Sequence, residues 1–531
     1  MTGAIGTRAI RTGAIRTGAI RIISAAVLLA VLAGCASMPA GGPMNRPAAI
    51  EAELRAHVDT LASDEFQGRR PGTDGERKTL RYLADAWEAA GLQSGTNDPA
   101  HPWLAPVELA VRLPEKDDVA FKRGEEKVDV TDGAVRIFTT GRQAILADAP
   151  LVFVGTEGES VDRSLLTGRV ALMMWDHPAR EEQRAALLAN GAAAAIAIVL
   201  EPAEFAQLVR FREAGAYRLA GDDSASTIDG YVGQHGAGQL LGEARLVELL
   251  EMAESTDFTP VTLDLTINAE MTSAAGALRT HNLIGKLAGR NPDAGAVLMV
   301  AHWDHFGLCG DPEIGRIYCS GAVDNASGLA VLTAAAKRLA LGDPLDRDVY
   351  FLATTAEEWG LLGATAFARD PPLPLENIVA AFNLDSVGIA GRGGQVAVVG
   401  AGLTSLDSDV DRVLEKLGRE RADDEYSQRF VRRQDGWALL QRDVPTLMVS
   451  SAFADRAAFD KYSRERYHRS ADRPDLVELG GAGEDLLLHV ELVRHFASLA
   501  QFSGPGSGPR SGTGSGPGSG PISGTRPASA D

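Results

Sequence analysis

The chain has 531 residues, more than one hydrophobic core usually holds, so two folded units with tails are expected. Hydrophobic residues make up 45% of it and charged residues 23%, an ordinary mix for a globular protein. The net charge of -19, with no Gly-rich phosphate loop and no interleaved basic and aromatic patch, argues against a nucleic-acid partner.

The first segment is basic (Arg8, Arg11, Arg16, Arg21), and Thr-Gly-Ala-Ile-Arg occurs at 12–16 and again at 17–21. An apolar run from Ile22 to Leu32 is too short for a comfortable membrane span and ends in Leu32-Ala33-Gly34-Cys35. This segment resembles a bacterial lipoprotein signal, 1–35. The resemblance implies that Cys35 is lipidated and becomes the mature amino terminus, which anchors the protein to the cell envelope. Ala36 after the cysteine favours the outer membrane, facing the periplasm. Residues 36–48 are a Pro/Gly-rich tether.

Helical periodicity follows over Ile50–Leu61 and again over Gly75–Ala90, where Gly91 stops it. Arg69 and Arg70 between them are expected to be salt-bridged structural residues, not substrate ligands. From 107 to 271 the texture changes to short alternating strands and an Ala-rich helix. Three runs stand out: Ala149–Gly155, Leu166–Met173 (with Thr167-Gly168-Arg169-Val170-Ala171-Leu172) and Gly191–Ile198. They resemble a protease-associated domain, a small sandwich inserted in a larger fold, which implies a lid or substrate-access role. His177 and His235 within it are expected at the surface or in packing. From 503 to 531 a Gly/Ser/Pro-rich tail lacks apolar surface to bury and is expected to be disordered.

The chemistry-bearing residues sit between these regions. The β-branched run Val297–Ala301 is expected to be a buried strand, and it delivers His302 and Asp304 at its carboxyl end, where open parallel sheets place their sites. Asp324 lies in the small-residue turn Ser320–Gly328, just before the helical pattern Leu329–Leu339. Two more apolar strands, Val349–Ala353 and Ile378–Phe382, each precede an acidic turn: Glu357-Glu358 in the first, Asp385 in the second. Tyr467-His468 comes late, in a polar loop.

These five stretches, in this order, resemble the co-catalytic di-zinc aminopeptidases of metallopeptidase family twenty-eight, and Leu61–Thr73 resembles the start of members that carry a protease-associated insert. The resemblance covers about 50–502. It implies a catalytic domain in two parts, 49–106 and 272–502, around the insert at 107–271. The fold class is α/β: a mixed, mostly parallel sheet flanked by helices, with the smaller inserted domain. It implies two Zn(2+) per chain. Asp324 bridges them, His302 and Asp385 hold one, and Glu358 and His468 hold the other. Glu357 is the general base, Asp304 fixes the His302 tautomer by a hydrogen bond, and the Asp324-Asn325 peptide is cis.

The implied activity is removal of amino-terminal residues from peptides with a free amine. On the same fold the rivals are a carboxypeptidase, a one-zinc glutaminyl cyclase and a non-catalytic binding relative. The chain departs from the family at Arg433–Leu439: Asp435 is kept, but Gly436 replaces the usual histidine and Leu439 a phenylalanine, which opens the question of specificity. His305 is expected near the site, not in it. A disulfide between Cys309 and Cys319 is favoured, since the signal implies an oxidising compartment. The sequence leaves the oligomeric state undetermined.

Overall fold

The computed structural model describes residues 43–504, apart from 159, 176–179, 223–224, 312–314 and 424. Cys35 and the rest of the segment expected to be a signal, His177 and nearly all of the tail lie outside the described residues.

The chain enters through helices α1 (Pro47–Leu61) and α2 (Asp74–Ala90). Strand β1 (Leu104–Arg123) leads into β2 (Val135–Thr139), β3 (Gln143–Gly155) and β4 (Val170–Met174). Helix α3 (Arg180–Ala189), β5 (Ala194–Val199), helix α4 (Pro202–Glu213) and β6 (Ile228–Gly233) follow. The long strand β7 (Val261–Leu287) then returns to β8 (Ala296–His302), helix α5 (Gly328–Ala340), β9 (Asp348–Thr354) and β10 (Ile378–Asn383). Strands β11 (Ala397–Val399) and β12 (Thr446–Ser450) and helix α6 (Leu479–Phe496) complete the fold.

The sheet runs β11-β12-β10-β8-β9-β7-β3-β4-β5-β6-β2, and β1 pairs along β7. Its β12-β10-β8-β9 centre is parallel. Every residue of β8, β9 and β10 is buried. Continuous apolar runs without alternation are what a strand covered on both faces requires. Helices α1, α2, α5 and α6 supply one cover through Leu54, Val58, Trp87, Leu332, Leu486 and Phe496, all in one apolar cluster with Val297, Met299 and Phe351. Each such side chain contributes roughly 1.5–3 kcal/mol on burial.

β7 changes the expected picture of the insert. Its first part pairs with β3 through Val261–Thr272, while Leu283–Leu287 pair antiparallel with β9. One strand therefore belongs to both halves, and the parallel strands β3, β4 and β5 extend the same sheet. The insert keeps its own cores, one around Leu151, Phe153, Leu172 and Ile196, the other around Val152, Trp175 and Tyr231. His235 is exposed there.

Candidate metal centre

The parallel strands end at a common edge. His302 is in register with Thr354, and Val300 with Asn383, so the turns that follow β8, β9 and β10 open on one cleft. The turn before α5 joins them, because Gly328 lets the helix start close to Leu384. A Cβ on Gly328 would lie 2.5 Å from the Leu384 carbonyl oxygen. After β9 the chain turns through Ala356, whose φ is 52°. A left-handed residue of this kind costs roughly 1–2 kcal/mol, and it redirects the adjacent Glu357 and Glu358 out of strand alternation. Ser386 (φ 51°) and His468 (φ 57°) bend the chain the same way beside Asp385 and Tyr467. The Asp324-Asn325 peptide is cis.

His302, Asp324, Glu357, Glu358, Asp385 and His468 converge. Asp324 lies at the centre: Oδ1 is 3.1 Å from His302 Nε2, and Oδ2 is 3.4 Å from His468 Nε2. His302 Nε2 is also 3.6 Å from Asp385 Oδ1, and His468 Nε2 is 3.1 Å from Glu358 Oε2. Glu357 Oε2 is 4.0 Å from His302 Nε2. Both Nε2 atoms are buried and form no hydrogen bond among the described residues. Two orphaned imidazole nitrogens facing opposite oxygens of one carboxylate fit a pair of cations better than a hydrogen-bond network. The fit extends to the ring orientation. His302 Nδ1 lies 3.2 Å from the Asp304 carbonyl oxygen; donating its proton there leaves Nε2 as a lone pair toward the cluster.

Asp304 departs from its expected role. Its carboxylate is 3.9 Å from His302 Nδ1, and it accepts instead from the amides of Glu357 (3.1 Å) and Glu358 (3.4 Å). The physical reason is the turn at Ala356, which leaves two buried N–H groups in need of an acceptor. The carboxylate thus holds the Glu pair, while the His302 tautomer is fixed by main chain.

His305 is drawn in where the sequence placed it only nearby. It is fully buried, its Nδ1 is 2.5 Å from Glu358 Oε1, and its Nε2 forms no hydrogen bond among the described residues. His302, Asp324 and Asp385 form one group with metal-holding spacing, and His305, Asp324 and Glu358 form a second, adjoined by His468. The available signal was its position three residues after His302, in the same turn. Asp472 also emerges as a support: it accepts from the amides of Val323 and Asp324 and so sets the central carboxylate.

Arg69 is likewise structural, but its partners are carbonyls where carboxylates were expected. It donates to Leu61 O (2.9 Å), Trp303 O (2.9 Å), Ser320 O (2.6 Å) and Gly321 O (2.9 Å), tying together the turns that carry His302 and Asp324. Arg70 donates to Ala214 O (2.9 Å) and Tyr217 Oη (2.6 Å) of the insert. Cys309 and Cys319 are disulfide-bonded across a short hairpin, with Cα atoms 5.5 Å apart. The insert reaches the centre through α4: Gln207 Nε2 donates to the His468 carbonyl, and Phe211 packs on Phe306 and Trp359.

The crowding of charge moves protons. Burial opposes a charge on Asp324, but His302 and His468 outweigh it and hold its carboxyl well below the usual range. Burial, with Glu358, Asp435 and Asp385 beside it, drives Glu357 well above its usual value despite His302. Burial would lower His468, but Glu358 and Asp324 push it up to about 9. Burial raises Asp304 to about 8, against the pull of His302. Adjacent glutamates thus acquire opposite character, because the neighbouring His468 and His305 outweigh burial and keep Glu358 low.

Beside Asp435, a Cβ on Gly436 would lie 2.6 Å from Gln434 Oε1 and 2.7 Å from Thr446 Cγ2, so a larger residue would require those side chains to shift. The cleft in front of the cluster is a cavity of about 290 Å³, walled by Glu357, Asp385, Arg433 and a group of aromatic rings.

Residues 282–486 match Peptidase family M28. Two curated relatives are vacuolar membrane proteases. The one from Yarrowia lipolytica is 33% identical over 115 residues, 21% of this chain and 10% of that protein. The one from Lachancea thermotolerans is 30% identical over 116 residues, 22% of this chain and 11% of that protein. The chain thus matches about a tenth of the length of these relatives. Among solved structures, an aminopeptidase from Aneurinibacillus sp. strain AM-1 is similar with a TM-score of 0.52 at 17% identity, covering 84% of this chain and 93% of that one. It shares the fold.

Proposed function

We propose that this chain, which carries the Peptidase family M28 match over residues 282–486, is a di-zinc aminopeptidase that removes residues from the free amino end of peptides. The observation that carries the reading is Asp324, with one oxygen toward His302 Nε2 and the other toward His468 Nε2, neither of which forms a hydrogen bond among the described residues. His302 and Asp385 would hold one zinc and Glu358 and His468 the other, with Asp324 shared. Bound zinc supplies Lewis-acid polarisation of the scissile carbonyl and lowers the pKa of water.

The chain's own groups do the rest. Glu357 lines the cavity and stands 4.0 Å from His302 Nε2. Its raised proton affinity suits a base that takes a proton from the attacking water and returns it to the leaving amine. Asp304 keeps Glu357 and Glu358 in place through their amides, so the base and the ligand cannot exchange positions. The acidic cluster favours a cationic amino terminus over a blocked one.

The test is a panel of aminoacyl-nitroanilides and their amino-acetylated counterparts, with metal content measured on the same preparation. Cleavage confined to free amines, two zincs per chain, and loss of about 10²- to 10⁴-fold in kcat for Glu357→Gln are expected. Equal cleavage of the acetylated substrates would refute the aminopeptidase reading, and one zinc per chain the di-zinc one. The Leu32–Cys35 signal adds a proposal of lipid anchoring in the envelope, which incorporation of labelled palmitate into the parent but not into Cys35→Ser checks.

A further inference from the structure

The cavity in front of the cluster has two chemically distinct walls. One is apolar: Phe430, Phe453 and Phe459 pack ring against ring at centroid distances of 4.9, 4.8 and 5.1 Å, and Met448 lies beside them. The other is cationic, with Arg429 and Arg433 both lining the cavity. The Arg429 guanidinium lies over the Tyr426 ring, 4.3 Å from its centroid, and the Arg433 guanidinium lies 5.9 Å from the Phe430 centroid.

The acids of the same cavity are already committed. Asp324, Glu357 and Asp385 belong to the metal cluster. Asp460 accepts from the Tyr426 hydroxyl at 2.8 Å and pairs with Arg456 at 3.5 Å. Neither Arg429 nor Arg433 forms an ion pair among the described residues; both are exposed, and Arg433 donates to the Tyr467 hydroxyl with Glu182 and Glu181 of α3 nearby. A guanidinium carries five N–H donors in a planar fork, a geometry that takes a carboxylate two bonds at a time.

Resting on the peptidase reading, we propose that this pocket selects peptides that carry a carboxylate close to the scissile bond, held by Arg429 and Arg433, with an apolar side chain against the phenylalanine wall. The carboxylate has two possible sources of the same chemistry: the carboxyl end of a dipeptide, or the side chain of an acidic amino-terminal residue.

The experiment compares matched pairs on the zinc-loaded full chain: leucyl-phenylalanine with its carboxamide, and glutamyl-nitroanilide with glutaminyl-nitroanilide. The carboxylate member of at least one pair is expected to show a kcat/KM about ten- to a hundredfold higher, the worth of a charge-assisted hydrogen bond. The pair that shows it names the source. In Arg429→Gln and Arg433→Gln the ratio within that pair should collapse toward unity, through KM, and Arg→Lys should restore only part of it. The same pairs are titrated calorimetrically into Glu357→Gln, where binding is read without turnover. Hydrolysis with no carboxylate preference in either pair overturns this proposal and leaves the peptidase reading intact. Carboxylate-selective binding with no hydrolysis of any free-amine substrate supports the carboxylate site and sinks the peptidase reading instead.

Discussion

Replacing Arg69 by Met removes the cross-tie under the metal centre while keeping most of the buried volume. The guanidinium is fully buried and donates to four carbonyls, one at the end of α1, one after β8 and two in the turn before Asp324. Burial lowers its pKa to about 10 against the pull of Asp324 and Asp304, so it stays charged at neutral pH. Hydrogen bonds from a charged donor are worth about 1.5–3 kcal/mol each. They are not additive, and the freed carbonyls share some relaxation, so the net loss is about 3–5 kcal/mol. That is a large part of a typical stability of about 5–15 kcal/mol. Urea unfolding followed by tryptophan fluorescence measures it, and competition with a chromophoric chelator measures zinc affinity, which should fall because the turns carrying His302 and Asp324 are no longer tied. Arg69→Lys, with three donors in place of a five-donor fork, should recover less than half of the stability. An Arg69→Met protein that unfolds within about 1 kcal/mol of the parent and binds zinc as tightly would refute the cross-tie.

Three further outcomes are expected. His305→Ala deletes the 2.5 Å contact to Glu358 Oε1 and should weaken zinc binding about 10- to 100-fold in the same chelator competition; unchanged affinity would mean that His305 does not orient the ligand. His489, buried in α6 with Nδ1 2.8 Å from the Asp485 carbonyl oxygen, has its pKa lowered by burial from 6.5 to about 4. Its contribution is therefore full above pH 6.5 and lost as pH falls toward 4, about 3 kcal/mol in all, so parent and His489→Leu stabilities should shift relative to each other by that amount between pH 7 and pH 4. A constant difference across that range would contradict it. Phe211→Ala removes the α4 ring that packs 5.0 Å from Phe306 and 6.2 Å from Trp359. Amide exchange in α4 should then speed up about tenfold, the equivalent of about 1.4 kcal/mol of aromatic packing, with global stability much less affected.

The sequence by itself determined the parts whose physics is local. The unbroken apolar runs Val297–Ala301, Val349–Ala353 and Ile378–Phe382 read as strands covered on both faces, and each is followed within four residues by a histidine or an acid, so the edge on which chemistry collects was legible. The family resemblance singled out His302, Asp324, Glu357, Glu358, Asp385 and His468 as one set, and the fold brings them together at that edge. Contacts between segments far apart in the chain were decided only by the tertiary structure. The Asp304 carboxylate turns to the Glu357 and Glu358 amides because the bend at Ala356 leaves those donors unpaired, a need no spacing reveals. His305 reaches Glu358 across 53 positions, and Arg69 reaches Gly321 across 252. The continuity of β7 from insert to central sheet and the arginines facing the cavity from 429 and 433 are of the same kind. Periodicity records which face of an element is buried, whereas a polar side chain's partner is set by whichever unpaired donor or acceptor folding brings within reach, and that is a property of the packed chain.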